Sequence, residues 1–311
     1  MSTMTLVLSF CWGLFTGLSF VLYLMVLYVL IKHRSKELNS SFYQLCRWLG
    51  LADLSVVAVR KLLVPYFLQP FFYEQLYDSV VLATVQQMLR FGLFYTQTAA
   101  NLIIAANRLT AVLRPTIHAA IWRHKMPVAI AGMWLAPLAY VLPMLHPAYR
   151  SVYDEQLKPK FRNYTFYVHH GMFVVEQVLV VPALLAMYGV MCWAIVRNKM
   201  ADDSKSVTDV ARNQRNRRKE QQQRRLAVIG VTIALNYEIT ELCFALGLFV
   251  NPIYFGFMNV FYMVFTVCNP YLLLIFSSEV NELFRKTFMR KNSNQVATIT
   301  LSSRKNRTED V

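Results

Sequence analysis

The chain has 311 residues, of which 56% are hydrophobic and only 16% charged, where soluble domains carry about 25% charged residues. That deficit argues against an ordinary soluble domain and makes lipid the expected main solvent. A net charge of +15 would suit a nucleic-acid binder, but the long apolar runs assign it instead to basic connections on the cytoplasmic face of a membrane, so no nucleic acid is expected as a partner.

A bilayer core needs about 20 mostly apolar residues per helix. The first run, residues 5–31, contains no charge, has no basic leader and is followed by Lys32, Arg34 and Lys36, so it reads as an uncleaved first span. Six further runs follow at 42–68, 80–107, 126–146, 169–196, 226–249 and 254–276. Pro137, Pro143, Pro182 and Pro270 fall within them, which a membrane bundle tolerates because neighbours satisfy the freed carbonyls. The expected fold is an all-α membrane protein, a seven-transmembrane helix bundle over residues 1–277. No linker divides that region.

After the last span, Val280, Leu283, Phe284 and Phe288 recur at helical spacing between Arg285, Lys286, Arg290 and Lys291, which predicts a short amphipathic helix over 278–291 lying on the inner leaflet. Residues 292–311 are polar and read as a disordered cytoplasmic tail with phosphorylatable Ser and Thr. Residues 208–225 hold seven Lys or Arg among eighteen and read as a cytoplasmic extension of span six facing anionic lipid or an acidic protein patch.

The connections at 32–47, 108–125, 197–225 and from 278 onward carry four, four, ten and seven Lys or Arg, whereas the opposite side carries four in all. Lys and Arg stay cytoplasmic, so the amino terminus is expected outside and the tail inside a multi-pass membrane. Asn163-Tyr164-Thr165 is a glycosylation acceptor on the expected outer side, although Asn39-Ser40-Ser41 and Asn306-Arg307-Thr308 match the same pattern inside.

Ionisable groups within spans are functional candidates because the bilayer makes them costly. Asp53 lies 11 residues past the inner end of span two, about 16 Å deep, at the midplane. It reads as a polar hub that shifts between states, with Asn269 beside Pro270 as its partner; a static interhelical hydrogen bond is the plainer reading. A sodium ion near Asp53 is the one cofactor considered. Arg60 and Lys61 read as snorkelling cations near the outer end of span two. Arg90 lies 18 residues before Arg108, about 27 Å above it along span three. With Glu176, Glu238 or Glu241 it lines an outer-facing polar cavity or forms a structural ion pair; the two readings stay open.

No metal ligation is expected: the five cysteines, Cys11, Cys46, Cys192, Cys243 and Cys268, match no zinc spacing, and the adjacent His169-His170 cannot form an i, i+4 metal pair. With no phosphate-binding glycine loop or nucleophile motif, an enzyme is not expected. A transporter or channel is the rival class, since such proteins also carry intramembrane charge, but no repeat of the kind many of them show is visible.

Asn107-Arg108-Leu109 ends span three with Pro115 seven residues on. The stretch NRLTAVLRP resembles the Asp-Arg-Tyr region of rhodopsin-like G-protein-coupled receptors. LGLADL at 49–54 places Asp53, Trp134 falls in span four, Pro182 in span five, and Asn269-Pro270-Tyr271 resembles the start of their seventh-span motif. The chain departs from them where Asn107 replaces an acidic residue, where Tyr271 follows Pro270 directly, and in lacking a cysteine between the top of span three and the 147–168 loop.

The longer stretch NRLTAVLRPTIHAAIW, 107–122, is most similar to nematode serpentine chemoreceptors, in the group containing classes gamma and V, with class V the assignment made. The resemblance implies a chemosensory receptor of the plasma or ciliary membrane of sensory neurons, with a small-molecule extracellular ligand and a heterotrimeric G-protein as partners. It also implies that Arg108 holds the closed state and then meets the G-protein.

Overall fold

A computed structural model describes residues 3–33, 38–59, 79–146, 151–153, 159–161, 179–203 and 253–289, together with positions 228, 230–232, 235 and 239. Span one is the helix Thr3–Lys32, span two Ser41–Val57, span three Val80–Leu113, span four Pro115–Val141, span five is described over Val181–Asp203, and span seven is Ile253–Phe276. Span six is represented by the isolated positions from 228 to 239. The short surface helix Ser278–Phe284 continues as a wider turn through Arg285–Met289.

Local chemistry sets these ends. Ser79 Oγ accepts from the Leu82 amide at 3.2 Å and caps span three. Ser277 Oγ does the same for the Val280 amide at 3.3 Å, starting the surface helix. The sequence suggested that span three ends at Asn107 and that 108–125 is a connection. Instead the helix continues to Leu113, breaks only at Arg114 (φ −136°, ψ 62°), and restarts with Pro115 at the first helical position of span four. A residue before proline is pushed out of the helical region, and proline favours the first turn, so this pair stops one helix and opens the next. Pro143 lies outside the span-four helix, in the tighter turn Leu142–Leu145.

Lipid-facing and bundle-facing surfaces separate cleanly. The stretches Gly13–Lys32 and Pro115–Leu145 are apolar enough to cross a bilayer by composition alone, with mean hydropathy 2.4 and 1.8, and they expose large side chains such as Leu18, Val128 and Leu135. Such exposure suits hydrocarbon rather than water. Span three carries Gln87, Thr96, Gln97, Asn101 and Asn107 on its buried side, and packs against spans two, four and five. The interior joins Val26, Leu49, Ile104, Met133, Leu184 and Tyr262 in one cluster drawn from six spans.

Two further features position the ends of the bundle. At the end of the bundle where span three begins, Ser151–Tyr153 pairs antiparallel with Pro159–Phe161, and the Ser151 amide donates to Thr84 Oγ1 at 3.3 Å. This hairpin packs on span three inside a loop that the sequence reading left without structure. At the inner end, the surface helix buries Val280 and Phe284, while Tyr43 and Ser277 share a hydrogen bond at 2.8 Å. His33 Nε2 and Thr287 Oγ1 share another at 3.0 Å, fixing the surface helix to span one.

Candidate functional site

Two polar constellations lie along span three, one at mid-depth and one at its inner end. At mid-depth Asp53 is completely buried on span two. Its Oδ2 accepts from the Tyr23 hydroxyl of span one and, at 2.7 Å, from Asn269 Nδ2 of span seven. Its Oδ1 accepts from Gln97 Nε2 of span three at 2.5 Å. Gln97 Oε1 in turn accepts from the Tyr262 hydroxyl at 2.9 Å, and Asn101 Nδ2 returns to the Gln97 carbonyl at 2.8 Å. One carboxyl group therefore joins four spans. Donors to the charged form offset part of the cost of burying a carboxylate.

Tyr23 reaches Asp53 because of Gly50: a Cβ there would lie 3.1 Å from Tyr23 Cε1. Tyr271, one residue past Pro270, shares a 3.0 Å hydrogen bond with Ser19, so span seven is tied to span one directly as well as through Asp53 of span two. Asn269 Oδ1 is buried with no partner.

Holding a sodium ion beside Asp53 would require this arrangement to change. Three N–H or O–H donors face the carboxylate, so their hydrogens occupy the directions that a cation needs. The amides of Gln97 and Asn269 would have to turn before an ion could be held. Among the described residues no group of His, Cys, Asp or Glu has the composition of a metal site.

In the last turns of span three Arg108 is buried, its guanidinium carbon 3.3 Å from the centre of the Phe42 ring. This is a cation–π contact between spans three and two, in a place where water is largely excluded. Among the described residues its buried Nε and Nη2 have no hydrogen-bond partner. Tyr43, Cys46 and Tyr188 of span five are close enough to act on its charge. Tyr188 also meets span six: a Cβ on Gly230 would lie 2.6 Å from its ring. Arg108 thus stands where spans two, three and five meet, with span six against the same tyrosine.

Asn107 points elsewhere. Its Nδ2 donates to Ser41 Oγ at 2.8 Å, and Ser41 Oγ faces His118 Nε2 at 3.3 Å. His118 Nδ1 faces Thr110 Oγ1 at 3.1 Å, which accepts from Trp122 Nε1 at 2.7 Å and donates to the Asn107 carbonyl at 2.9 Å. With the Thr110 hydroxyl already donating to the Asn107 carbonyl, the bond between Thr110 and His118 is donated by the His118 Nδ1–H. This chain fastens the two helices on either side of the break at Arg114 to the start of span two. Pro115 opens the second of them.

Of the outer candidates, Arg90 lies half-buried on span three, 5.9 Å from the Phe91 ring centre. Glu176, Glu238, Glu241, Arg60, Lys61, the adjacent pair at 169–170 and the acceptor Asn163 lie outside the described residues. Sequence reasoning missed Tyr23, Gln97, Tyr262 and Phe42. Gln97 and Asn101, four residues apart in an uncharged stretch, carried a signal that a search for charge alone passes over. Nothing marked Phe42.

The bundle is similar to the crystal structure of squid rhodopsin, with a TM-score of 0.69 at 14% identity over 89% of this chain and 84% of that one. At that identity the likeness speaks for the fold alone. No curated protein matches the chain. The sequence from residue 13 to residue 290 fits the family model described as serpentine type 7TM GPCR chemoreceptor Srv, which takes in both constellations and the surface helix. The chain that builds this bundle around Asp53 and Arg108 therefore belongs to the Srv family of serpentine seven-transmembrane chemoreceptors.

Proposed function

We propose that this chemoreceptor binds an extracellular small molecule and passes the signal to a heterotrimeric G-protein through the inner ends of spans three, five and six. The observation that carries this reading is the state of Arg108: a cation at the cytoplasmic end, held on an aromatic face with two of its nitrogens unpartnered. Unsatisfied buried donors are costly, so a rearrangement that offers them acceptors is favoured. Separation of Tyr188 from span six would open the same end. The spacing of Arg108 and Pro115 in the family-like stretch agrees with that role.

The outer half of the bundle is the ligand side. Arg90, Glu176, Glu238 and Glu241 are the candidate contacts. The Asp53 hub, with Asn269, Pro270 and Tyr271, transmits between the two ends, since one carboxyl group fixes spans one, two, three and seven together. A ligand shifts this equilibrium only by its difference in affinity for the two states. The placement is a plasma or ciliary membrane of a sensory neuron, amino terminus outside and tail inside, with Asn163 glycosylated.

The test is expression with a promiscuous G-protein, read by calcium, against a panel of small metabolites and odorants. An activating compound is expected, and Arg108→Ala is expected to abolish the calcium response while ligand binding at the cell surface persists. Undiminished signalling from Arg108→Ala would remove Arg108 from the coupling role. Ion or substrate flux without G-protein dependence would favour a transporter.

A further inference from the structure

A groove of about 670 Å³ runs between the end of span seven and the surface helix, lined by Ile275, Ser278, Asn281, Glu282, Arg285, Lys286 and Met289. Residues 278, 282, 285 and 289 fall on one helical stripe. The opposite stripe, Val280 and Phe284, is buried against the bundle. The two ends of the groove are apolar and open outward, Ile275 and Met289 each being 69% exposed. Ile275 belongs to a lipid-facing side of a span, so the groove lies where a bilayer passes from hydrocarbon to headgroup.

The charge pattern narrows the occupant. Arg285 and Lys286 offer two cations, and Glu282 is fixed one turn away by its ion pair with Lys286. A purely cationic groove would favour any multiply charged anion. A carboxylate set among the cations disfavours such a ligand and suits one that carries an amine beside its phosphate. A carboxylate offers about four acceptor sites, so Glu282 can take a further donor beside Lys286 and its other contacts.

We infer that this groove is a binding site for the headgroup of phosphatidylserine from the adjoining leaflet. Its phosphate meets Arg285, its ammonium meets Glu282, and its carboxylate meets Lys286, while the acyl chains leave past Ile275. The inner-leaflet placement rests on the proposed orientation of the chain; the lipid chemistry does not.

The test is lipid retention by the purified full chain in nanodiscs with the same lipid mixture in both leaflets, read by native mass spectrometry, which needs neither ligand nor G-protein. Phosphatidylserine is expected to be retained over phosphatidylglycerol, which has equal charge and no amine, by about two- to fivefold, the range of an exposed ion pair. Glu282→Gln is expected to erase that preference, and Arg285→Gln to weaken retention of both lipids. Both side chains are exposed, so the variants are expected to fold. Equal retention of the two lipids by the unaltered chain, a preference that survives Glu282→Gln, or stronger retention of a phosphorylated inositol lipid would overturn the assignment. None of these outcomes bears on signalling through Arg108.

Discussion

Asp53 accepts hydrogen bonds from three side chains on three different helices, and each bond can be broken singly. Tyr23→Phe removes one donor and leaves the packing against Gly50, so it is expected to lower stability by about 1 kcal/mol, read as a fall in the thermal unfolding temperature in detergent. Asp53→Asn turns an all-acceptor group into one that must aim hydrogens at other donors, and is expected to cost about 1–3 kcal/mol in the same assay. The double variant should lose less than the sum, since both act on one bond. Asp53 and its pairing with Asn269 were legible because a carboxylate and an amide at mid-depth stand out in an apolar sequence. Tyr23 and Tyr262 were not, because tyrosine is common in membrane spans and only the fold shows which hydroxyls turn inward. Phe42 was illegible for a similar reason: its role lies in the face it presents to Arg108, and any apolar residue would fit the pattern of span two.

The helices themselves were legible where lipid contact defines them and less so where it does not. Runs of apolar residues mark what the bilayer covers, but a helix does not stop at the edge of the hydrocarbon. Span three continues six residues beyond Asn107, and its true stop was written as Arg114-Pro115. The hairpin at 151–161 escaped notice because three-residue strands are too short to show alternation. Close approach of helices was equally silent. Gly230→Ala would place a methyl group 2.6 Å from the Tyr188 ring, so that ring must give way. That substitution is expected to cost about 1–3 kcal/mol in thermal unfolding, and Tyr188→Leu in the same chain to recover most of it. If Gly230→Ala alone left stability unchanged, the approach of span six to Tyr188 would be looser than described.

For the whole molecule, the asymmetry of Lys and Arg predicts a topology, and the topology decides which constellation faces which compartment. Tags on the two termini should be reached from opposite sides of the membrane, and glycan should be found on Asn163 and not on Asn39. Both termini in one compartment would contradict an odd number of crossings. On the proposed function, the bundle divides along span three into a ligand half near Arg90, a polar hub at Asp53 and a coupling half at Arg108. At the proposed coupling end an aromatic ring rather than a carboxylate restrains the arginine. The most direct measurement is ligand-free nucleotide exchange on a promiscuous G-protein by the purified chain in nanodiscs. Phe42→Leu keeps the apolar volume and removes the ring face, so exchange is expected to rise by about two- to thirtyfold, the span of a cation–π contact. Arg108→Ala, alone or with Phe42→Leu, should fall to background. Exchange unchanged by Phe42→Leu and retained by Arg108→Ala would contradict the account.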